Sequence, residues 1–195
     1  MATENPSSAA SATQRRYDRL APLYDLMEGV LERIAFARWR RRLWQRVSGG
    51  RVLEVGVGTG KNVPYYPPGA DVTAIDLSPR MLARAAARVR KLGVPVRLAR
   101  MDVQTLAFPN ESFDYVVASF VFCSVPDPVA GLRQAARVCK REGSVLLLEH
   151  MRIDRPVVGR LMDALNPLLV RVMGANINRR TVENVRLAGL TIVSV

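Results

Sequence analysis

The 195-residue chain has little cysteine, almost no histidine and few acids: two Cys, one His, and 17 Asp and Glu against 29 Lys and Arg. Cys123 and Cys139 make no disulfide framework, so a reducing, cytoplasmic setting is expected. No run of 18 or more apolar residues occurs, so no transmembrane helix is expected. The start, Met1 to Thr13, is rich in Ser and Ala and has no apolar signal-peptide region; residues 1–14 read as a disordered tail. No metal site is expected. The shortage of acids leaves a formal net charge of +12. That excess implies an acidic partner: nucleic acid, an anionic membrane surface or a phosphorylated substrate.

About half of the residues are apolar, enough for one sizeable core, and residues 15–195 are expected to form one domain. After residue 50, strand-like and helix-like stretches alternate. Strands are expected at Arg51–Val55, Asp71–Ile75, Pro95–Ala99, Phe113–Val117, Ser144–Leu148 and, sixth, Thr191–Val195. Short Val- and Leu-rich runs of this kind suit strands buried on both faces of a parallel sheet. A helix is expected from Pro79 to Lys91, with Ser78 as its cap, Pro79 at its first position and Gly93 beyond its end. A second runs from Asp127 to Lys140 and stops before Gly143. The alternation implies a doubly wound, mostly parallel α/β domain with right-handed crossovers.

Residues 15–50 read as N-terminal amphipathic helices ahead of the core at 51–195. Phe36, Trp39, Leu43 and Val47 recur on one helical face, and Arg38, Arg41, Arg42 and Arg46 lie largely on the other. Arg40 intrudes on the apolar side. Such a helix can lie on an anionic membrane or pack on the sheet with a solvated basic face. Residues 156–189 form another helical, largely apolar region above the carboxyl ends of the strands, where substrates bind in such folds.

The chemistry concentrates where the first strand ends. Glu54-Val-Gly56-Val-Gly58-Thr-Gly60 spaces three glycines at two-residue intervals, which suits tight backbone turns and close ligand approach. A dinucleotide loop spaces its glycines G-x-G-x-x-G and opens a helix that seats a pyrophosphate. S-adenosylmethionine has no phosphate and two cationic centres, so an acid beside the loop suits it better. Asp76 ends the second strand and can accept both ribose hydroxyls. Asp102 follows the third, where a carboxylate can accept from the adenine amino group and the next backbone N–H can donate to the ring.

These runs resemble the class I S-adenosylmethionine-dependent methyltransferases, whose fold is Rossmann-like. Val52 to Asn62 is similar to their first motif and Thr73 to Ser78 to their second. Phe113 to Phe120 and Arg137 to Gly143 resemble the later ones. The resemblance implies cofactor contacts from Glu54, Gly56, Gly58, Gly60, Asn62, Asp76, Leu77, Met81, Asp102, Val103, Ser119 and Phe120, with S-adenosylhomocysteine as product. Lys140-Arg-Glu-Gly143 departs from the family's Pro-Gly-Gly turn. The family adds a seventh strand antiparallel to the sixth, so the resemblance implies a chain cut short at Val195.

A finer resemblance is to bacterial phosphatidylethanolamine N-methyltransferases, with quinone C-methyltransferases close to them. Tyr17-Asp-Arg-Leu-Ala-Pro-Leu-Tyr-Asp25 is similar to a helix of both. Phe120 to Asp127, Leu147 to His150, Asn166-Pro-Leu and Gly174 to Thr181 look more like the phospholipid enzymes. This implies N-terminal helices over the active site, a phospholipid substrate and peripheral attachment to the inner face of the membrane. Tyr17 and Tyr24 could face a growing methylammonium by cation–π contact, and His150 could take the amine's proton. Arg179 and Arg180, with Asn178, could hold the lipid phosphate. Basic charge with Trp39 and Trp44 would serve the bilayer surface.

Other readings remain. A quinone methyltransferase would share the membrane but need hold no phosphate. A sensor could bind S-adenosylmethionine without turnover. A nucleic-acid amino-methyltransferase would show an Asn/Asp-Pro-Pro-Tyr-type site, and Ala118-Ser-Phe-Val-Phe-Cys123 has none, so no nucleic-acid partner is expected. A NAD-dependent dehydrogenase fits the fold but not the loop spacing.

Overall fold

A computed structural model describes residues 11–15, 18, 36–149, 156–173, 176 and 178–195. Five strands form one sheet: β1 (Arg51–Val55), β2 (Asp71–Asp76), β3 (Val96–Arg100), β4 (Phe113–Ser119) and β5 (Cys139–Leu148). Their order is β3-β2-β1-β4-β5, and every neighbouring pair is parallel. Helices α1 (Ala37–Trp44), α2 (Pro79–Leu92), α3 (Pro128–Val138), α4 (Pro156–Met173) and α5 (Thr181–Leu187) accompany it. This is the doubly wound α/β fold expected from the alternation.

The central strand shows why the runs are apolar throughout. Val52, Leu53 and Val55 are buried, with residues on both faces covered. Leu53 and Val55 join Val116, Ala118, Leu132 and Ala135 in the core under α3. Val52 points the other way and joins Val72, Val117, Leu43, Trp44 and Val47 under α1. Alternation along each strand therefore feeds two separate apolar layers.

The helix ends follow their local signals. Ser78 Oγ accepts from Met81 N at 3.1 Å, and Gly93 ends α2 with φ 65°. Asp127 caps α3 by accepting from Ala130 N at 2.9 Å.

Three expectations need correction. First, α3 stops at Val138, and β5 begins at Cys139 rather than Ser144. Its pairing with β4 jumps from Phe113↔Cys139 to Tyr115↔Ser144, so the extra residues form a bulge. Gly143 fits this bulge because a Cβ there would lie 2.6 Å from Asp114 O.

Second, residues 191–195 form no strand. A strand exists only as a paired ladder, and among the described residues nothing pairs with this run. Ile192 packs on the core, but Val193 and Val195 are 95% exposed.

Third, α1 is rotated from the face read off its sequence. Arg40, Leu43 and Trp44 are its buried residues, with Val47 buried just past its end, whereas Trp39 is 44% exposed. The sheet draws in the side with Trp44, whose ring lies 4.4 Å from that of Tyr66. Trp44 is thus a core residue and no membrane anchor.

Candidate functional site

One cleft opens at the carboxyl ends of β1, β2 and β4, enclosing about 880 Å³ including space open to solvent. It lies where the strand order reverses, between β1 and β4, the place where open α/β sheets bind ligands. Gly56, Gly58, Asp76, Leu77, Met81, Asp102, Val103, Ser119 and Phe120 all line it.

The glycine loop is held from below and behind. Gly56 has φ 65° and Gly58 φ 55°, a region that favours glycine. Asp76 Oδ2 accepts from Gly58 N at 2.8 Å, and Oδ1 accepts from Ser78 N at 2.9 Å. Gly60 N is bound to Val57 O and Val57 N to Ile75 O, both at 2.9 Å. Three of the loop's N–H groups, those of Val57, Gly58 and Gly60, are therefore engaged within the protein. The loop runs through turns into a three-residue 3-10 segment, Val63–Tyr65, so no α-helix N-terminus follows to seat a pyrophosphate. A Cβ at Gly58 would meet nothing within 4 Å, which leaves the backbone open to close ligand approach.

Burial pushes the Asp76 carboxyl up to about 6, against the lowering pull of its backbone donors. Asp102 lines the cleft while its Oδ1 accepts from Gln104 N at 2.9 Å, so it also fixes the local turn. Met81, at the start of α2, is buried against the cleft. Phe120 has φ 59°, unusual for an aromatic residue, and its N donates to Leu148 O at 2.7 Å.

Glu54, Gly60 and Asn62 are not in the lining. Glu54 is wholly buried; it accepts from Asn62 Nδ2 at 2.5 Å and from Tyr66 OH. Burial pushes its carboxyl up to about 7, opposed by those hydrogen bonds and by the Arg40 charge. Asn62 also donates to Ser119 Oγ at 3.2 Å. This buried polar net sits under the loop, outside the cleft lining. Gly60 is tight for a packing reason, since a Cβ there would lie 3.2 Å from Ala85 Cα.

On the acceptor side, Tyr17, Tyr24 and His150 lie outside the described residues. Arg179 Nη2 donates to Val125 O at 3.0 Å, which ties it to a wall of the cleft, though Arg179 itself is not in the lining. Asn178 Nδ2 donates to Asp163 Oδ1 at 3.0 Å, and Arg180 forms an exposed ion pair with Glu183 at 3.5 Å. The structure does not bring Asn178 or Arg180 into the cleft.

Several lining residues were not anticipated, among them Arg40, Lys61, Gln104 and Val121. Arg40 carried a signal: a charge on an otherwise apolar helix face is buried only when something answers it. Glu149, at the end of β5, gave none. Its Oε1 accepts from Val121 N at 2.8 Å and Phe122 N at 3.0 Å, which pins the turn after Phe120. Burial pushes this carboxyl up to about 7.

A methyltransferase-domain family model matches residues 53–147. A phosphatidylethanolamine N-methyltransferase of Cereibacter sphaeroides is 42% identical over 158 residues, covering 79% of this chain and 75% of that protein. A demethylmenaquinone methyltransferase of Renibacterium salmoninarum is 34% identical, covering 84% and 68%. Among solved structures, a Haemonchus contortus phosphoethanolamine N-methyltransferase bound to phosphomonomethylethanolamine and S-adenosylhomocysteine superposes with a TM-score of 0.70 at 22% identity, over 94% of this chain and 45% of that one. That last likeness concerns the fold alone.

Proposed function

The chain belongs to the class I S-adenosylmethionine-dependent methyltransferases, and from that premise we propose that it methylates the amine of phosphatidylethanolamine at a membrane surface. The observation that carries the acceptor is the greater identity to the phosphatidylethanolamine enzyme than to the quinone enzyme. The basic charge of the chain and the exposed arginines of α1 agree with it.

S-adenosylmethionine supplies the methyl group from its sulfonium. In this reading the chain's own work is placement. Asp76 would hold the ribose hydroxyls, and Asp102, Val103, Leu77 and Met81 would hold the adenine. Gly56 and Gly58 let the backbone approach, with Ser119 and Phe120 across the cleft. Glu54, Gly60 and Asn62 hold the loop's shape. Tyr17 and Tyr24 receive the amine and His150 its proton, on the strength of the sequence resemblance. Arg179 takes the lipid phosphate at the cleft wall, with Asn178 and Arg180 further out.

Incubating the protein with methyl-labelled cofactor and mixed phosphatidylethanolamine and phosphatidylglycerol vesicles should yield labelled mono-, di- or trimethylated lipid. Label confined to an added quinone would move the acceptor to C-methylation of quinones, which the demethylmenaquinone relative supports as the second reading. No label in either, with cofactor bound, would favour a sensor.

No described helix is long and apolar enough to cross a membrane. In this reading the bilayer is met by α1, on which Arg38, Trp39, Arg41 and Arg42 are all exposed. Replacing Arg38, Arg41 and Arg42 by Ser should weaken binding to anionic vesicles by about 1 kcal/mol per charge. Co-sedimentation equal to wild type would leave α1 as a packing element only.

A further inference from the structure

Helix α1 buries a cation beside the cleft. Arg40 is 6% exposed and lies among Leu43 and Trp44 on the inward face. An unanswered guanidinium there would carry the full desolvation penalty of a buried ion. Its partners include Asn62, whose Oδ1 accepts from Nη1 at 3.1 Å, and Glu54, which feels its charge. The guanidinium carbon stands 5.1 Å from the ring centroid of Phe120. Asn62 and Phe120 thus fix a planar fork of five N–H donors in place. Arg40 itself lines the cleft, together with Gly56, Ser119 and Phe120.

S-adenosylmethionine has an adenosine end and an amino-acid end, and the amino-acid end carries an α-carboxylate. The acids Asp76 and Asp102 stand at the ends of β2 and β3, and the reading above places the adenosine there. The amino-acid end then lies toward β1 and β4, where Arg40 is. From this we infer that Arg40 binds the α-carboxylate of the cofactor, held in register by Asn62 and, through it, by Glu54. A guanidinium suits this task because it grips a carboxylate with two parallel hydrogen bonds. Lys61, the other lysine or arginine of the lining, sits on the loop and is less buried. The inference rests on the proposed cofactor placement and not on the acceptor.

The test compares S-adenosylmethionine with its decarboxylated analogue, which lacks only that carboxylate, by calorimetry without any methyl acceptor. Wild type should prefer the intact cofactor by roughly tenfold or more. Arg40→Gln should erase the preference by weakening the intact cofactor while leaving the analogue's affinity unchanged. Arg40→Lys should restore part of it, and Lys61→Gln should leave it intact. No preference in wild type overturns the inference, whether or not the Arg40 variants fold. So does equal weakening of both ligands in Arg40→Gln, which would mark a structural role, or selective loss in Lys61→Gln instead. A wild type that binds neither ligand would instead bring down the cofactor placement itself.

Discussion

Gly56→Ala is expected to cost the fold about 2–5 kcal/mol, whereas Gly58→Ala should cost only about 1–2 kcal/mol. Both glycines have positive φ, so both substitutions carry the left-handed strain. Only at Gly56 does the new Cβ also meet a wall, 2.5 Å from Val121 Cγ2 and 3.0 Å from Cγ1. Val121 has little room to retreat, because its backbone N is bound to Glu149 and its side chain is short and branched. At Gly58 the same Cβ meets nothing within 4 Å. Urea unfolding of the two variants checks the difference. Equal midpoints would show that the Val121 turn yields, and that the close approach at Gly56 is incidental.

Asp76→Ala should weaken cofactor binding by about 1–3 kcal/mol, roughly five- to 150-fold. In the proposed site it removes the ribose acceptor, and in the structure it also strips the acceptor from Gly58 N and Ser78 N. Asp76→Asn keeps one acceptor oxygen and should lose less. A pH dependence follows from the raised carboxyl. Asp76 normally titrates at 3.8 and here at about 6. Cofactor affinity should therefore fall as pH drops through 6, and the Asn variant should lose that part of the fall. Stability of the free protein runs the opposite way. Between 3.8 and about 6 the folded chain binds more protons at this site than the unfolded chain, so this carboxyl's contribution declines as pH rises through that window. Calorimetric titrations with cofactor from about pH 5 to 8 read the affinity, and urea unfolding of the free protein from about pH 4 to 6 reads the stability. Wild-type affinity independent of pH would show that Asp76 carries no such role.

Much of the fold was legible because its signals are local. The buried parallel strands announce themselves as unbroken apolar runs, and Ser78, Pro79, Gly93 and Asp127 mark helix ends by their own backbone chemistry. What failed depended on neighbours. The run Thr191–Val195 has strand-forming residues, yet a strand needs a partner backbone, which composition cannot show. The face of α1 was misread by one step because Arg40 counts as polar until its partners Asn62 and Phe120 are known. In the cleft lining, Asp76 and Asp102 were readable from their places at strand ends. Glu54 and Asn62 share the same motif but point beneath the loop, a distinction that depends on side-chain direction. Glu149 escaped notice because its task is to hold backbone N–H groups 27 and 28 residues away.

The position of the cleft at the β1–β4 junction bears on how the chain reaches its native state. Residues 51–100 contain β1, β2 and β3, which pair in sequence through a single compact crossover each. The register Val52↔Tyr115 joins segments more than sixty residues apart, and such non-local pairings are slow to form. Ser119 and Phe120 reach the cleft only through β4. A chain with its first three strands assembled thus has the carboxylates but lacks the opposite wall. The cofactor accordingly favours the completed sheet over partly assembled ones, and its concentration acts by mass action on the folded population. With the cofactor placed as proposed, the methyl donor would also select finished chains.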